Sequence, residues 1–231
     1  ILLKKLNLKF PNYPIVTYVN CTAEVKAECH ITCTSSNAAQ VVEAIAAEWN
    51  TDTVILVPDQ YLAKNVAAQT GIRVMTWPGA CEVHEMFSAD DVEQLREAHP
   101  GVVILAHPEC PPDVLEASDF AGSTSALANY VAEESPNKVV LLTECSMSDN
   151  VASANPGVNF IRPCNLCPHM KRITLENIYD CLVTGEYEVL IPEDVRIRAK
   201  QALDAMMALP KMAKPLAFKT GLKPLEIEMV V

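Results

Sequence analysis

The sequence predicts an α/β protein made of repeated three-layer αβα units, each around a parallel sheet. Two observations carry this reading. Apolar runs of about five residues alternate with helical patterns of about ten to fifteen, the rhythm of strands covered on both faces by crossover helices. The chain also resembles itself: Ile15-Val16 aligns with Val103-Ile104, and Thr34-Ser35-Ser36-Asn37-Ala38 with Gly122-Ser123-Thr124-Ser125-Ala126, both at an offset of 88. Asn65-Val66-Ala67 matches Asn150-Val151-Ala152 at 85, and Pro78-Gly79-Ala80-Cys81 falls opposite Pro163 to Cys167 at 85 to 86. Repeats of this length are whole small domains rather than solenoid units.

In chain order, residues 2–10 form a helix that opens the chain in mid-cycle, at the place that 92–98 takes before the second unit. Strands are expected over 15–19, 31–33, 54–57, 73–76, 102–106 and 139–142, where short apolar stretches lie between turn signals. Helices are expected over 37–48, 61–68, 92–98, 124–133, 150–153, 175–182 and 194–207. The domain reading is a first unit over 1–82, a second over 83–166, and a C-terminal helical segment over 167–231 that would pack against a unit not in this chain. The first unit closes at Cys81 and the second at Cys164 or Cys167. A mid-cycle opening predicts a preceding unit that ends in its own cysteine, so that three units would bring three thiolates together.

Eighteen basic and twenty-nine acidic side chains give a formal charge of −11. The mean surface field therefore repels phosphate backbones and anionic lipid, which argues against nucleic acid and membrane as partners. No run approaches the length of a membrane span, and the start has no signal-like apolar core, so a cytoplasmic location is expected. Nine cysteines are an odd number in a chain large enough to fold without staples. They are read as thiols for packing, metal or chemistry rather than as a disulfide framework.

Ligand groups in an open parallel sheet collect beyond the carboxyl ends of its strands. There the sequence places Asn20 and Cys21, Asp59, Cys81 and His84, His107 and Glu109, and Glu144 and Cys145. Asp59 and Glu144 are expected to cap the helices that follow. The hydroxyls of 34–36 and 123–125 sit where strand becomes helix, suited to capping or to holding a phosphate or carboxylate, although neither turn has the glycine cradle of a P-loop. His107-Pro108-Glu109 sets an imidazole two residues from a carboxylate, as proton shuttling requires. His84 lies one helical turn past Cys81 and would share its side. Cys164-x-x-Cys167 fits zinc, a redox pair or iron–sulphur. Cys21, Cys29, Cys33, Cys110, Cys145 and Cys181 follow no repeat logic, and most of them are read as small buried hydrophobes.

These motifs, in this order, make the chain resemble the quinolinate synthases. The resemblance runs through residues 17–27, 34–38, 58–62, 77–84, 106–110, 122–125 and 164–170, and covers about 13–209. It implies three homologous αβα domains in a pseudo-threefold arrangement around a [4Fe-4S] cluster held by three cysteines. It implies condensation of iminoaspartate with dihydroxyacetone phosphate, with loss of phosphate and water, to form quinolinate in NAD biosynthesis. L-aspartate oxidase is then the expected supplier of iminoaspartate. Carried over by position, Cys81 and Cys167 are cluster ligands, Tyr18, His84, His107 and Glu109 are catalytic, and Tyr18, Asn20, Ser35, Ser123 and Thr124 bind substrate. His107 would act as acid and base, Glu109 as its partner or a second base, and Tyr18 as a hydroxyl donor. The first domain of the family is absent from these 231 residues, so this stretch alone is expected to be iron-poor and inactive. On oxidation, with the cluster absent and these ligands exposed, a Cys164–Cys167 disulfide is the pairing the sequence suggests. The other reading is a noncatalytic α/β protein that binds a small ligand or zinc; His107 with Glu109, and His84 near Cys81, favour the enzyme.

Overall fold

Parallel pairing organises the chain in two successive sheets. The computed structural model describes residues 2–211, 217–220 and 227–230. The first half runs α1 (Leu2–Lys9), β1 (Ile15–Tyr18), α2 (Ala23–Lys26), β2 (Ile31–Cys33), α3 (Ala38–Glu48), β3 (Thr53–Val57), α4 (Gln60–Thr70) and β4 (Arg73–Thr76). The second runs α5 (Ala89–Ala98), β5 (Val103–Ala106), α6 (Pro112–Ala117), β6 (Phe120–Gly122), α7 (Thr124–Glu134), β7 (Lys138–Leu142), α8 (Cys145–Ala154) and β8 (Asn159–Ile161). A 3-10 turn at Met170–Arg172, α9 (Leu175–Thr184), α10 (Glu193–Ala208), β9 (Ala217–Phe218) and β10 (Glu228–Met229) follow.

Helix boundaries follow local chemistry. Ser88 and Asp91 form a capping box at α5, Asp59 accepts from Leu62 N–H at α4, and Ser123 accepts from Ala126 N–H at α7. Gly71 ends α4 with φ of 69°, a left-handed conformation that a Cβ would strain. Every strand and helix expected from the sequence forms, with ends moved by a few residues. The unit pattern read from the repeat, strand, helix, short strand, helix, strand, helix, strand, holds in both halves. α2, α6, β6 and β8 fill places in it to which the sequence assigned no range, and only β9, β10 and the 3-10 turn fall outside both the pattern and the expected ranges. α8 starts at Cys145 rather than near 150, because Ser146, Ser148 and Asp149 obscure its first turn.

Strand order is β10-β4-β3-β1-β2 in one sheet and β8-β7-β5-β6-β9 in the other. Without the C-terminal edge strands, the two orders are the same. All pairings are parallel except β6 with β9. Side chains alternate between faces. Ile15, Ile55, Val57 and Met75 share a core with Leu6 of α1, whereas Val16, Val54, Leu56 and Val74 belong with Val41, Ile45, Leu62 and Val66 of α3 and α4. In the second sheet Leu105, Val139 and Leu141 meet Leu127, Val131 and Val151 of α7 and α8. Its opposite face, with Ile104, Val140 and Leu142, joins Val92, Val114 and Leu115 of α5 and α6 in the same continuous core as α3 and α4. The two halves are thus fused through apolar packing.

Register corrects the internal alignment by one residue. Ile15 pairs with Ile55, and Ile104 pairs with Val140. Since β3 and β7 correspond at an offset of 85, Ile104 stands where Ile15 stands, an offset of 89 rather than 88. Ile-Val against Val-Ile cannot distinguish the two offsets, but a one-residue slip turns every side chain to the other face. Tyr18 therefore corresponds to His107, Asn20 to Glu109, and Thr34 rather than Ser35 to Ser123.

The C-terminal region is not helical throughout, since β9 and β10 add a strand to each sheet; residues 212–216 and 221–226 lie outside the described residues. α10 rests on α2 and β2, where Thr32 donates to the Ala202 carbonyl and Arg198 binds the Ala27 carbonyl and Glu28. α9 instead exposes Leu175, Ile178, Tyr179, Leu182 and Val183. No described helix is long and apolar enough to cross a membrane.

Candidate functional site

The site grows from the turn after β5. His107 N–H donates to the Leu142 carbonyl at 3.2 Å, which continues the β5–β7 ladder, and Cys110 N–H donates back to the His107 carbonyl at 2.9 Å. The amide of Asn65, buried on α4 of the other half, donates to the carbonyls of Pro108 at 2.8 Å and Cys110 at 3.2 Å. Pro108 fixes its own φ. So held, Glu109 points its carboxyl between two imidazoles, with Oε2 3.2 Å from His107 Nδ1 and 3.6 Å from His84 Nδ1. The rings of His84 and His107 stack at 4.4 Å. Exposure is 6% for His84, 2% for His107 and 7% for Glu109, so water screens none of these interactions.

Proton placement follows from the contacts. The Glu109 backbone N–H donates to His107 Nδ1 at 3.4 Å, so that nitrogen presents its lone pair and Nε2 carries the hydrogen. A carboxyl oxygen 3.2 Å from a lone pair needs a proton between them. Burial pushes the Glu109 carboxyl up, only partly offset by His84. Burial brings His107 down to about 3, and burial with its neighbour His107 brings His84 down to about 3. The group is two neutral imidazoles around a carboxyl that holds its proton more tightly than usual.

Cys81 reaches this group on the loop after β4. Gly79 lets that loop lie against the end of β3, since a Cβ there would meet the Pro58 carbonyl at 2.6 Å. Asp59, besides capping α4 as expected, accepts from Cys81 N–H at 2.9 Å. Burial first and Glu109 second raise the Asp59 carboxyl to about 7, against its three backbone hydrogen bonds. Glu85 N–H donates to the Cys81 carbonyl at 2.9 Å, a single turn that brings His84 to the side of Cys81. The backbone N–H groups of His84 and Val83 reach the Cys81 sulphur, although burial outweighs them and the thiol stays raised. The donor atoms of Cys81, His84 and Glu109 all lie within 4.8 Å of one another.

The other expected residues take different places. Tyr18 is buried at the end of β1 and bonded to the Ser35 side chain; burial, then Glu109, raises its phenol. Asn20 is exposed beyond β1, Ser123 is buried as the α7 cap, and Thr124 is exposed on the first turn of α7. Cys167 is a half-buried free thiol. The expected Cys164–Cys167 pairing is corrected: Cys164 bonds Cys145, which is therefore no mere packing residue. The reason is local, because Cys145 N–H donates to the Asn165 carbonyl at 3.0 Å and lays the cysteine loop across the start of α8, with the two Cα atoms 5.0 Å apart. His169 and Glu82, 2.9 Å apart, join this loop to the one that carries Cys81. Sequence reasoning missed Thr143, whose Oγ1 lies 3.0 Å from His84 Nε2, and the role of Asn65. Thr143 directly follows β7, a strand-end position that was signal enough; Asn65 gave only a repeat match.

The sequence profile of the Quinolinate synthetase A protein family matches residues 2–208. A "Quinolinate synthase" of Caulobacter vibrioides (strain NA1000 / CB15N) is 56% identical over 207 residues, which cover 90% of this chain and 56% of that protein. Those of Agrobacterium fabrum (strain C58 / ATCC 33970) and Xylella fastidiosa (strain 9a5c) are each 54% identical over 204 residues, 88% of this chain and 58% and 59% of theirs. The chain thus spans a little over half the length of these relatives.

Proposed function

Because the chain belongs to the quinolinate synthetase A family, we propose that it supplies two of three αβα units of a quinolinate synthase. That enzyme condenses iminoaspartate with dihydroxyacetone phosphate and releases phosphate and water. The observation that carries this reading is the buried trio of His84, Glu109 and His107 beside the Cys81 thiol. Asn65 supports the pseudo-threefold arrangement. It ties the first unit to the 108–110 turn of the second, and its counterpart Asn150 is exposed on α8, free to do the same for a third unit.

Cys81 and Cys167 suit two corners of a [4Fe-4S] cluster: both are free thiols, backbone N–H groups reach the Cys81 sulphur, and the Glu82–His169 pair joins their loops. A third thiolate would come from outside this chain. The cluster, when bound, supplies a Lewis acid for a substrate hydroxyl or carboxylate. The chain's own residues handle protons. Glu109 holds one against His107 Nδ1, and that pair delivers and recovers it as the condensing carbons lose water. The Tyr18 phenol stays protonated as a hydroxyl donor, with Ser35 fixing its direction. Asn20, Ser123 and Thr124, at the strand ends, bind carboxylate or phosphate, helped by free N–H groups at the start of α7. Iminoaspartate would come from an amino-acid oxidase of the L-aspartate oxidase kind, and free thiols on this scale suit a reducing cytoplasm.

The test is anaerobic analysis of iron, sulfide and quinolinate formation in an enzyme extended to the length of its relatives. C81A and C167A are each expected to abolish cluster assembly, whereas C29A should cost only packing, on the order of 1–3 kcal/mol. Full iron content in C167A would refute the assignment.

A further inference from the structure

We propose that Cys81, His84 and Glu109 form a site for a single divalent cation of the zinc class, one that binds without any iron–sulphur cluster. This goes beyond the family reading and stands on this chain's geometry. His84 Nδ1 is buried and has no hydrogen-bond partner, although the ring is 6% exposed. Nε2 lies 3.0 Å from Thr143 Oγ1; in the tautomer where Nε2–H donates to that hydroxyl, the orphaned Nδ1 presents a lone pair to a carboxyl oxygen 3.6 Å away. A cation that displaces the proton Oε2 shares with His107 would lie between these two atoms and give that buried nitrogen its contact.

The third donor completes the set. Thiolate, imidazole and carboxylate are the ligands zinc accepts, at bond lengths of about 2.0–2.3 Å, so donors at the corners of its tetrahedron lie about 3.4–3.6 Å apart. The His84–Glu109 edge is already 3.6 Å, and Cys81 is within 4.8 Å of both. A dication would neutralise one thiolate and one carboxylate where unpaired charge is costly. Thr143 then acts as the partner that fixes the tautomer of a metal-bound histidine. Three protein ligands leave one position for water, the arrangement of an open rather than a closed zinc site. Since the proposed cluster uses the same Cys81 thiolate, cation and cluster would exclude each other; this one consequence rests on the cluster reading.

Cobalt(II) is the probe, titrated without oxygen into the reduced 231-residue chain. One equivalent should bind and give a thiolate-to-cobalt charge-transfer band, which zinc bleaches by displacement. C81S should abolish the band, H84Q and E109Q should weaken binding on the order of 100-fold, and T143V about 10-fold. C181S, which removes an exposed thiol, should leave it intact. No band at millimolar cobalt, or an unchanged band in C81S, would overturn the proposal. Zinc-edge absorption on the unmodified chain gives a check free of folding effects: one sulphur with nitrogen and oxygen neighbours supports the site, and none or several overturns it. An iron-free full-length enzyme would defeat the cluster reading and leave the cobalt result standing.

Discussion

His84 and His107 stack face to face, with ring centroids 4.4 Å apart and planes inclined by 17°. Two imidazolium ions could not share that contact in a buried site, and burial lowers both rings to about 3 while it raises the Glu109 carboxyl beside them. In the full-length enzyme, H107A is expected to lower turnover by about 10²-fold or more, while the thermal midpoint shifts far less than the rate suggests. Steady-state rates with melting curves on the same samples decide it; matched losses of folding and activity would make His107 a packing residue.

The buried groups also set how stability responds to acid in the metal-free chain. His84 and His107, with folded values near 3 below the usual 6.5, contribute stability above about pH 6.5 that is lost as pH falls through about 3. Asp59, raised to about 7, works the other way: its contribution is present below about pH 4 and lost as pH rises through about 7. H107Q should therefore flatten the acid loss, and D59N should steepen the rise of the melting midpoint between about pH 4 and 7. Melting curves across that range test both signs.

Asn65 and Asn150 match in sequence and differ in environment. N65A removes two hydrogen bonds to the carbonyls of Pro108 and Cys110 and leaves them buried. It should cost about 1–3 kcal/mol. N150A, on the surface of the same chain, should stay within about 0.5 kcal/mol of the parent. Urea unfolding of the 231-residue chain measures both, and equal effects would remove Asn65 as the clamp on the Glu109 turn.

The oxidised chain should yield a peptide linking Cys145 to Cys164, with Cys167 open to alkylation. Closing a loop with a sequence separation of 19 should stabilise by about 3 kcal/mol in the loop-entropy account, so reduction should lower the melting midpoint. Mass mapping of non-reduced digests checks the pairing, and recovery of a Cys164–Cys167 link would contradict it.

Much of this was legible in the sequence because parallel strands write themselves as apolar runs. Residues 31–33 and 73–76 were read without error, and His107-Pro108-Glu109 announced itself by residue type. What stayed hidden needed three dimensions. Ile-Val against Val-Ile cannot report which face a strand presents, so the pairing of Tyr18 with His107 waited for the sheet register. Cys145 lies nineteen residues from Cys164, and no local pattern marks such a partner. Asp59 was rightly read as a cap, but its second bond to Cys81 crosses from one strand end to the next.

Two sheets with one strand order also bear on symmetry. Identical subunits related by symmetry must carry the same side chain at equivalent positions, so a self-assembly of one unit would meet itself with like groups. Two units carried in one polypeptide are free of that restriction. A phenol at residue 18 and an imidazole at residue 107 stand at one equivalent position of the two sheets. In one chain, the same scaffold position can thus carry two different groups, which identical subunits could not offer.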